Sequence, residues 1–417
     1  MNDLLKKYRR TKLACYFAGF SMAAATNLSP LLFITFNSLY GISFTALGFL
    51  VLVNFCTQLF IDLVFTFFSD KFNLIKTIKS IPLVVFFGMI FYSVVPMILP
   101  EYTYAALVVG TFIFSLGAGL GEVLTSPVIA AIPSDNPEKE MSKLHSAYAW
   151  GTVVVVILST LFVRFIGNEK WVILALLWSI VPLFGFFLFA KAEIPALDLS
   201  SDGENKKSKI DIGIALCTLC IFFGGAAECT MTQWVSGFAE KALGVSKVYG
   251  DVFGMALFAF ALGLGRTLFS NKGKSIYRVL LLGMGSAFLC YIVAALSPNN
   301  YIGLVACALT GFCASMLWPG TIVYTNEKYI SCSVGIYALL AAGGDLGASL
   351  SPQLLGIVAD KVAVSSFAEE FALSLMLTPE QIGMKVGMLI ASLFPAVGFV
   401  IVFFTERYFR KQRKNRI

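Results

Sequence analysis

Four carboxylates lie inside long apolar stretches of this 417-residue chain: Asp62, Glu122, Glu228 and Asp345. At a bilayer centre each costs about 2.5–3.5 kcal/mol on insertion scales. Arg266 is the one cation counted in the same stretches, so the sequence predicts acids without paired bases. They must then be protonated, hydrogen-bonded or open to a water-filled cavity. Acids at membrane depth do the chemistry of proton relays and ion pathways. The four are therefore candidate proton-coupling groups of a channel or transporter.

The residues around each acid refine that reading. Asn54, Gln58, Asp62 and Thr66 recur in steps of four, as do Asp345, Ser349 and Gln353. That spacing draws a polar stripe on one face of each helix. Static hydrogen bonding between helices explains such stripes, and so does a mobile seam between two halves. Glu122 follows Gly117, Gly119 and Gly121, which let a helix or ligand come close, and precedes Pro127, which frees a backbone carbonyl. Glu228, Gln233 and Trp234 fall within two turns. An acid, an amide and an indole suit a polyhydroxylated ligand, the ring stacking on the indole. The plainer reading makes Trp234 a membrane-interface anchor. Trp318-Pro319-Gly320, followed by Tyr324 and Asn326, predicts a bent or broken helix, a feature that lines binding sites in carriers or simply eases packing. His145 could relay protons or sit satisfied at the membrane surface.

Other chemistries find no support. Cys217-x-x-Cys220 lies in a hydrophobic helix and reads as packing. There is no Walker A sequence, no metal-spaced histidine cluster and no nucleophile elbow, so neither an enzyme, a metal site nor a cofactor is expected.

These side chains must be positioned by membrane helices. The chain is 58% hydrophobic and 13% charged, with mean hydropathy +0.82; soluble domains carry about 25% charge. Twelve spans of sufficient length fit at 13–39, 45–69, 79–99, 103–131, 143–166, 170–191, 210–240, 248–270, 277–296, 300–326, 332–360 and 384–405. The fold class is all-α. The first apolar run is too long for a cleaved signal and reads as the first span. A polar stretch with Pro195, Ser200, Ser201 and Gly203 divides the chain into 1–194, a linker 195–209, and 210–417. Basic residues gather on the side of both termini, including Lys6, Lys7, Arg9 and Arg10, then Lys71, Lys76 and Lys79, then Arg407, Arg410 and Lys411. Both termini are therefore expected in the cytoplasm of a cell-membrane protein. The net charge of +7 reports topology and implies no nucleic-acid partner. The segment 361–383, with Glu369, Glu370 and Glu380, reads as a loop holding a small surface helix.

With six plus six spans, a basic loop after the second span and the run Gly343-Gly344-Asp345 to Gly356 and Asp360, the chain resembles the major facilitator superfamily. In the loop, Asp70, Lys71 and Lys76 match the family's acid and bases, whereas Thr66 and Asn73 stand where glycines are usual. The drug-antiporter signature of the fifth span is missing. Within the superfamily the chain is similar to the fucose permease-like sugar–proton symporters at Gly121-Glu122 to Pro127, Leu144-His145 to Gly151, Ala227-Glu228 to Trp234 and Trp318-Pro319-Gly320. The resemblance implies that spans 1, 4, 7 and 10 line a cavity, with Glu122 as the sugar-binding and coupling acid and Asn27 as a polar contact. Pro30 stands where that branch carries its first-span acid. The resemblance also makes spans 2 and 11 neighbours, brings the two stripes together, and sets Asp70, Lys71 and Arg266 at gates.

The reading is a monomeric alternating-access carrier in a lipid bilayer. It moves a small polar metabolite, a neutral hexose being the favoured substrate, with proton symport. Substrate-binding candidates are Asn27, Glu122, Glu228, Gln233, Trp234, Trp318 and Asn326. A cation or drug antiporter is the alternative. A carboxylate substrate would want an Arg or Lys in the cavity, which the sequence does not place at the midplane. A non-transporting receptor or a lipid-modifying enzyme would need a sensory domain or catalytic constellation that is not seen.

Overall fold

The computed structural model describes residues 2–134, 137–195, 197, 211–272, 275–329 and 334–414. The predicted linker 195–209 falls almost wholly outside them. The described residues are mostly helical, without a strand among them. In chain order the helices are α1 (Asn2–Tyr40), α2 (Phe44–Phe68), α3 (Leu74–Ile98), α4 (Thr103–Ala131), α5 (Pro137–Ile166), α6 (Trp171–Ala190) and α7 (Ile212–Lys241). There follow one turn, α8 (Lys247–Tyr249), a π-helical stretch Gly250–Ala256 and α9 (Leu257–Lys272). The remainder are α10 (Ile276–Leu296), α11 (Asn300–Ala314), α12 (Leu317–Lys328), α13 (Val334–Ala363), α14 (Ser366–Leu375), α15 (Pro379–Ala391) and α16 (Leu393–Lys414).

Among the described residues, eleven helical stretches are long and apolar enough to cross a membrane. The 30-residue α13 is a further long helix, whose glycines and polar residues dilute its apolar content. Lipid is a solvent without hydrogen-bond partners, so a spanning backbone must satisfy itself, which helices do. Outward side chains such as Phe60, Phe87, Leu282 and Phe165 stay exposed, as a hydrocarbon solvent allows.

Two predicted spans are broken, each beside a proline. Span 300–326 divides into α11 and α12 at Ser315–Met316, because Pro319 has no N–H to give the Ser315 carbonyl. Span 384–405 divides at Ser392, because Pro395 cannot bond Ala391. The sequence reading caught the first break and missed the second. The small surface helix expected within 361–383 is α14, capped by Ser365, whose hydroxyl accepts from the Ala368 amide at 3.2 Å.

The chain forms two compact units. One comprises Met1–Thr35 and Val53–Gly203, the other Phe36–Leu52 and Glu204–Ile417. Grouping the α1–α2 turn with the later helices is not something the sequence suggests. In the first unit, Ala14, Ala18, Ile61, Ile81, Leu124 and Val128 form the core. In the second, Cys217, Cys220, Ile221, Leu280, Leu317 and Tyr324 do, so the Cys-x-x-Cys pair is packing. The backbones of α7 and α13 press together: a Cβ on Gly347 would sit 2.0 Å from the Phe222 carbonyl oxygen.

Candidate functional site

In the first unit the glycine-rich α4 carries Glu122. The residue keeps exposed surface, although protein atoms crowd around its carboxylate. Asp62 of α2 is the charged group that acts on it among the described residues. Two expected coupling acids are thus neighbours in one unit. Asn54 and Gln58 of the α2 stripe bond one another and α4. Asn54 Oδ1 accepts from Ser115 Oγ at 2.7 Å and from Gln58 Nε2 at 3.1 Å, so Asn54 and Gln58 tie α2 to α4. Asn27 is buried; its amide donates to the Ala23 carbonyl at 2.8 Å and to Thr152 Oγ1 at 3.3 Å, joining α1 to α5. Beside it, the Thr26 and Tyr148 hydroxyls lie 3.2 Å apart.

The second unit corrects the expectation of unpaired acids. Arg266 Nη2 donates to Glu228 Oε1 at 3.1 Å. Its Nε donates to the Ser315 carbonyl at 3.0 Å, the acceptor that Pro319 leaves free. Gly265 makes the approach feasible, since a Cβ there would lie 2.3 Å from Ser315 Oγ. A proline in α12, a glycine in α9 and an acid in α7 together hold one guanidinium. Arg266, expected at a gate, is the partner of a mid-helix acid.

Trp234 is fully buried. Its indole N–H donates to the Pro352 carbonyl at 2.9 Å, and its ring meets Phe44 edge-on at 6.0 Å. It is neither a stacking platform nor an interface anchor in this conformation. Gln233 is buried beside it on α7. Trp318 packs on Gly344, where a Cβ would fall 2.5 Å from its ring. Asn326 is exposed and accepts from the Tyr337 hydroxyl at 2.8 Å. Asp345 is buried in α13, the Ser349 hydroxyl donates to the Leu346 carbonyl at 2.9 Å, and Gln353 Nε2 donates to the Thr45 carbonyl at 3.2 Å. Lys71 lies over the Phe68 ring at 4.8 Å. The side chains of Asp70 and His145, and residues 330–333 ahead of α13, fall outside the described residues, and the proposed Asp70 contact with them.

Further acids sit within the helices and were not counted from sequence, among them Glu240 and Asp251. Asp251, on the π-helical turn, is fully buried; it accepts from Ser236 Oγ and pairs with Lys247 at 3.3 Å. The signal was present as Lys247 and Asp251 in a step of four.

A profile of the Major Facilitator Superfamily matches residues 14–352. The chain belongs to that superfamily. Solved transporters of the superfamily share its fold. A bacterial homolog of the human lysosomal transporter Spinster, inward-facing and occupied, has TM-score 0.77 at 14% identity, covering 97% of this chain and 98% of its own. A D-xylose–proton symporter has TM-score 0.73 at 14% identity, over 93% and 97%. The E. coli fucose:proton symporter has TM-score 0.59 at 14% identity, over 96% and 99%. At these identities the likeness shows the fold alone. No curated protein matches the sequence. For a major facilitator, these charges in multi-pass helices are the groups to examine for transport.

Proposed function

We propose that this major facilitator is a proton-coupled symporter of a small polar metabolite. The observation that carries the reading is Glu122, an acid in a glycine-rich apolar helix with Asp62 as its charged neighbour. Two nearby carboxylates in a low-dielectric setting resist ionising together, so one proton can be held and released with the site's state. The protein works in the cell membrane as a monomer, with both termini in the cytoplasm.

A neutral hexose is the first substrate to test. The symporters sharing the fold move D-xylose and fucose, and Glu228, Gln233 and Asn27 have hydroxyl-binding chemistry. Trp234 is buried, and Trp318 packs on Gly344, so the polar groups carry that reading more than the rings do. Arg266 favours a second reading, an organic anion, because it supplies the cation such a substrate wants. It also neutralises Glu228, which weakens the case for a cation antiporter.

The test is uptake of radiolabelled hexoses and organic anions into proteoliposomes with an inward proton gradient. Uphill accumulation is expected for the wild type and not for Glu122→Gln. Accumulation by Glu122→Gln equal to the wild type removes Glu122 from coupling.

A further inference from the structure

We infer that Arg266 and Glu228 form an exchangeable ion pair that takes up a small monocarboxylate together with one proton. The inference rests on the proton-coupled carrier reading and gives it a substrate class.

Guanidinium has five N–H donors. Arg266 uses Nε on Ser315 and Nη2 on Glu228. Its Nη1 makes no hydrogen bond among the described residues. The side chain is 43% exposed, although it lies within a membrane-crossing stretch. One turn earlier, on the same face of α9, Gly263 has no atom within 4 Å of where a Cβ would stand. The unused donors belong to a side chain that protein does not enclose. The geometry also differs from a cation reaching out of the bilayer, because the guanidinium turns toward Glu228 in the middle of α7 and is pinned there by the Ser315 carbonyl.

Charge balance selects the ligand. The resting pair is neutral. A monocarboxylate arriving at Nη1 competes with Glu228 for the guanidinium and would leave the pocket with one excess negative charge. A proton from water on Glu228 restores neutrality: Arg266 stays cationic, Glu228 becomes neutral, and the ligand supplies the single negative charge. A phosphate monoester, largely doubly charged near neutral pH, would not balance with one proton. Other titratable groups lie on α7, α10, α11 and α13. Cys229 is on α7 itself, Tyr291 of α10 donates to the Ala227 carbonyl at 2.8 Å, Cys307 and Cys313 are on α11, and Asp345 is on α13. Arg266 is the charged group that acts on Glu228 among the described residues.

Gluconate and glucose make a matched pair, alike in size and hydroxyls and differing in the carboxylate. Purified protein in detergent is titrated with each between pH 5.5 and 7.5, following thermal stabilisation and proton uptake in weak buffer. Gluconate is expected to stabilise the wild type, with one proton taken up and with dissociation constants that rise about tenfold per pH unit wherever Glu228 is ionised in the free protein. Glu228→Gln, which imitates the protonated acid, is expected to bind gluconate without pH dependence or proton uptake. Arg266→Gln should lose gluconate binding. Because that variant strands a carboxylate, Arg266→Gln/Glu228→Gln is the folded control and should also fail to bind. Binding of glucose but not gluconate overturns the inference and leaves the symporter reading standing. Gluconate binding that survives in the double variant, or that proceeds without proton uptake in the wild type, overturns it too, as does no binding of either. Gluconate binding with proton uptake but no transport in proteoliposomes sinks the carrier reading alone.

Discussion

Asp360 near the end of α13 caps the start of α2, its two carboxylate oxygens accepting from the Phe44 amide at 3.1 Å and the Thr45 amide at 2.5 Å. The first amides of a helix have no partner in their own helix, and an anion there also meets the positive end of the helix dipole. Gln353 adds its bond to the Thr45 carbonyl, and Gly356 lets the Phe44 carbonyl approach within a distance no side chain would permit. The contact joins residues more than 300 positions apart in one unit.

Replacing this carboxylate should loosen the turn between α1 and α2. Asp360→Ala is expected to cost about 1 kcal/mol, the usual worth of a helix cap, with faster amide hydrogen exchange at Phe44 and Thr45. Protection unchanged at those amides would show that Gln353 and packing hold the turn alone.

Trp234 is expected to matter for stability and not for ligand affinity. Trp234→Ala removes a fully buried indole and its bond to Pro352, a change worth about 3–5 kcal/mol. Thermal stability should fall sharply while the dissociation constant of the folded fraction stays within twofold. A tenfold loss of affinity at unchanged melting temperature would restore the stacking role.

Gly347 tests the packing of α7 on α13. Gly347→Ala forces a methyl into the Phe222 carbonyl and should destabilise the second unit by about 1–3 kcal/mol. A melting temperature equal to the wild type would mean that the helices separate there without cost.

Glu140 ahead of the fifth span gives a pH signature. Lys143 at 2.8 Å holds its carboxyl down to about 2, with Lys12 at 3.0 Å and the Tyr16 hydroxyl at 3.1 Å assisting against partial burial. The folded state binds this proton more weakly than the unfolded chain does, so the contribution is complete above about pH 4.5 and is lost as the pH falls toward about 2. Glu140→Gln should therefore lower the melting temperature at pH 7, with the difference from wild type shrinking between pH 4.5 and 3. A difference that stays constant over that range would exclude titration of Glu140 as the cause.

Helix content, apolar lengths and the break before Pro319 were legible in the sequence because they depend on local chemistry. A bilayer demands about 20 apolar residues per crossing and rejects an unpaired backbone, and a proline lacks its N–H wherever it stands. The glycine-rich setting of Glu122 was legible for the same reason. What only the tertiary structure decided was the pairing of polar groups. Asn54 bonds Ser115, Glu228 bonds Arg266 from 38 residues away, and Trp234 spends its N–H on Pro352. A step of four shows which face a side chain shares, but not which helix lies against that face or at what height. Those are set by close backbone approaches such as Gly265 on Ser315, and a long arginine then reaches whichever acid the approach brings within about 3 Å.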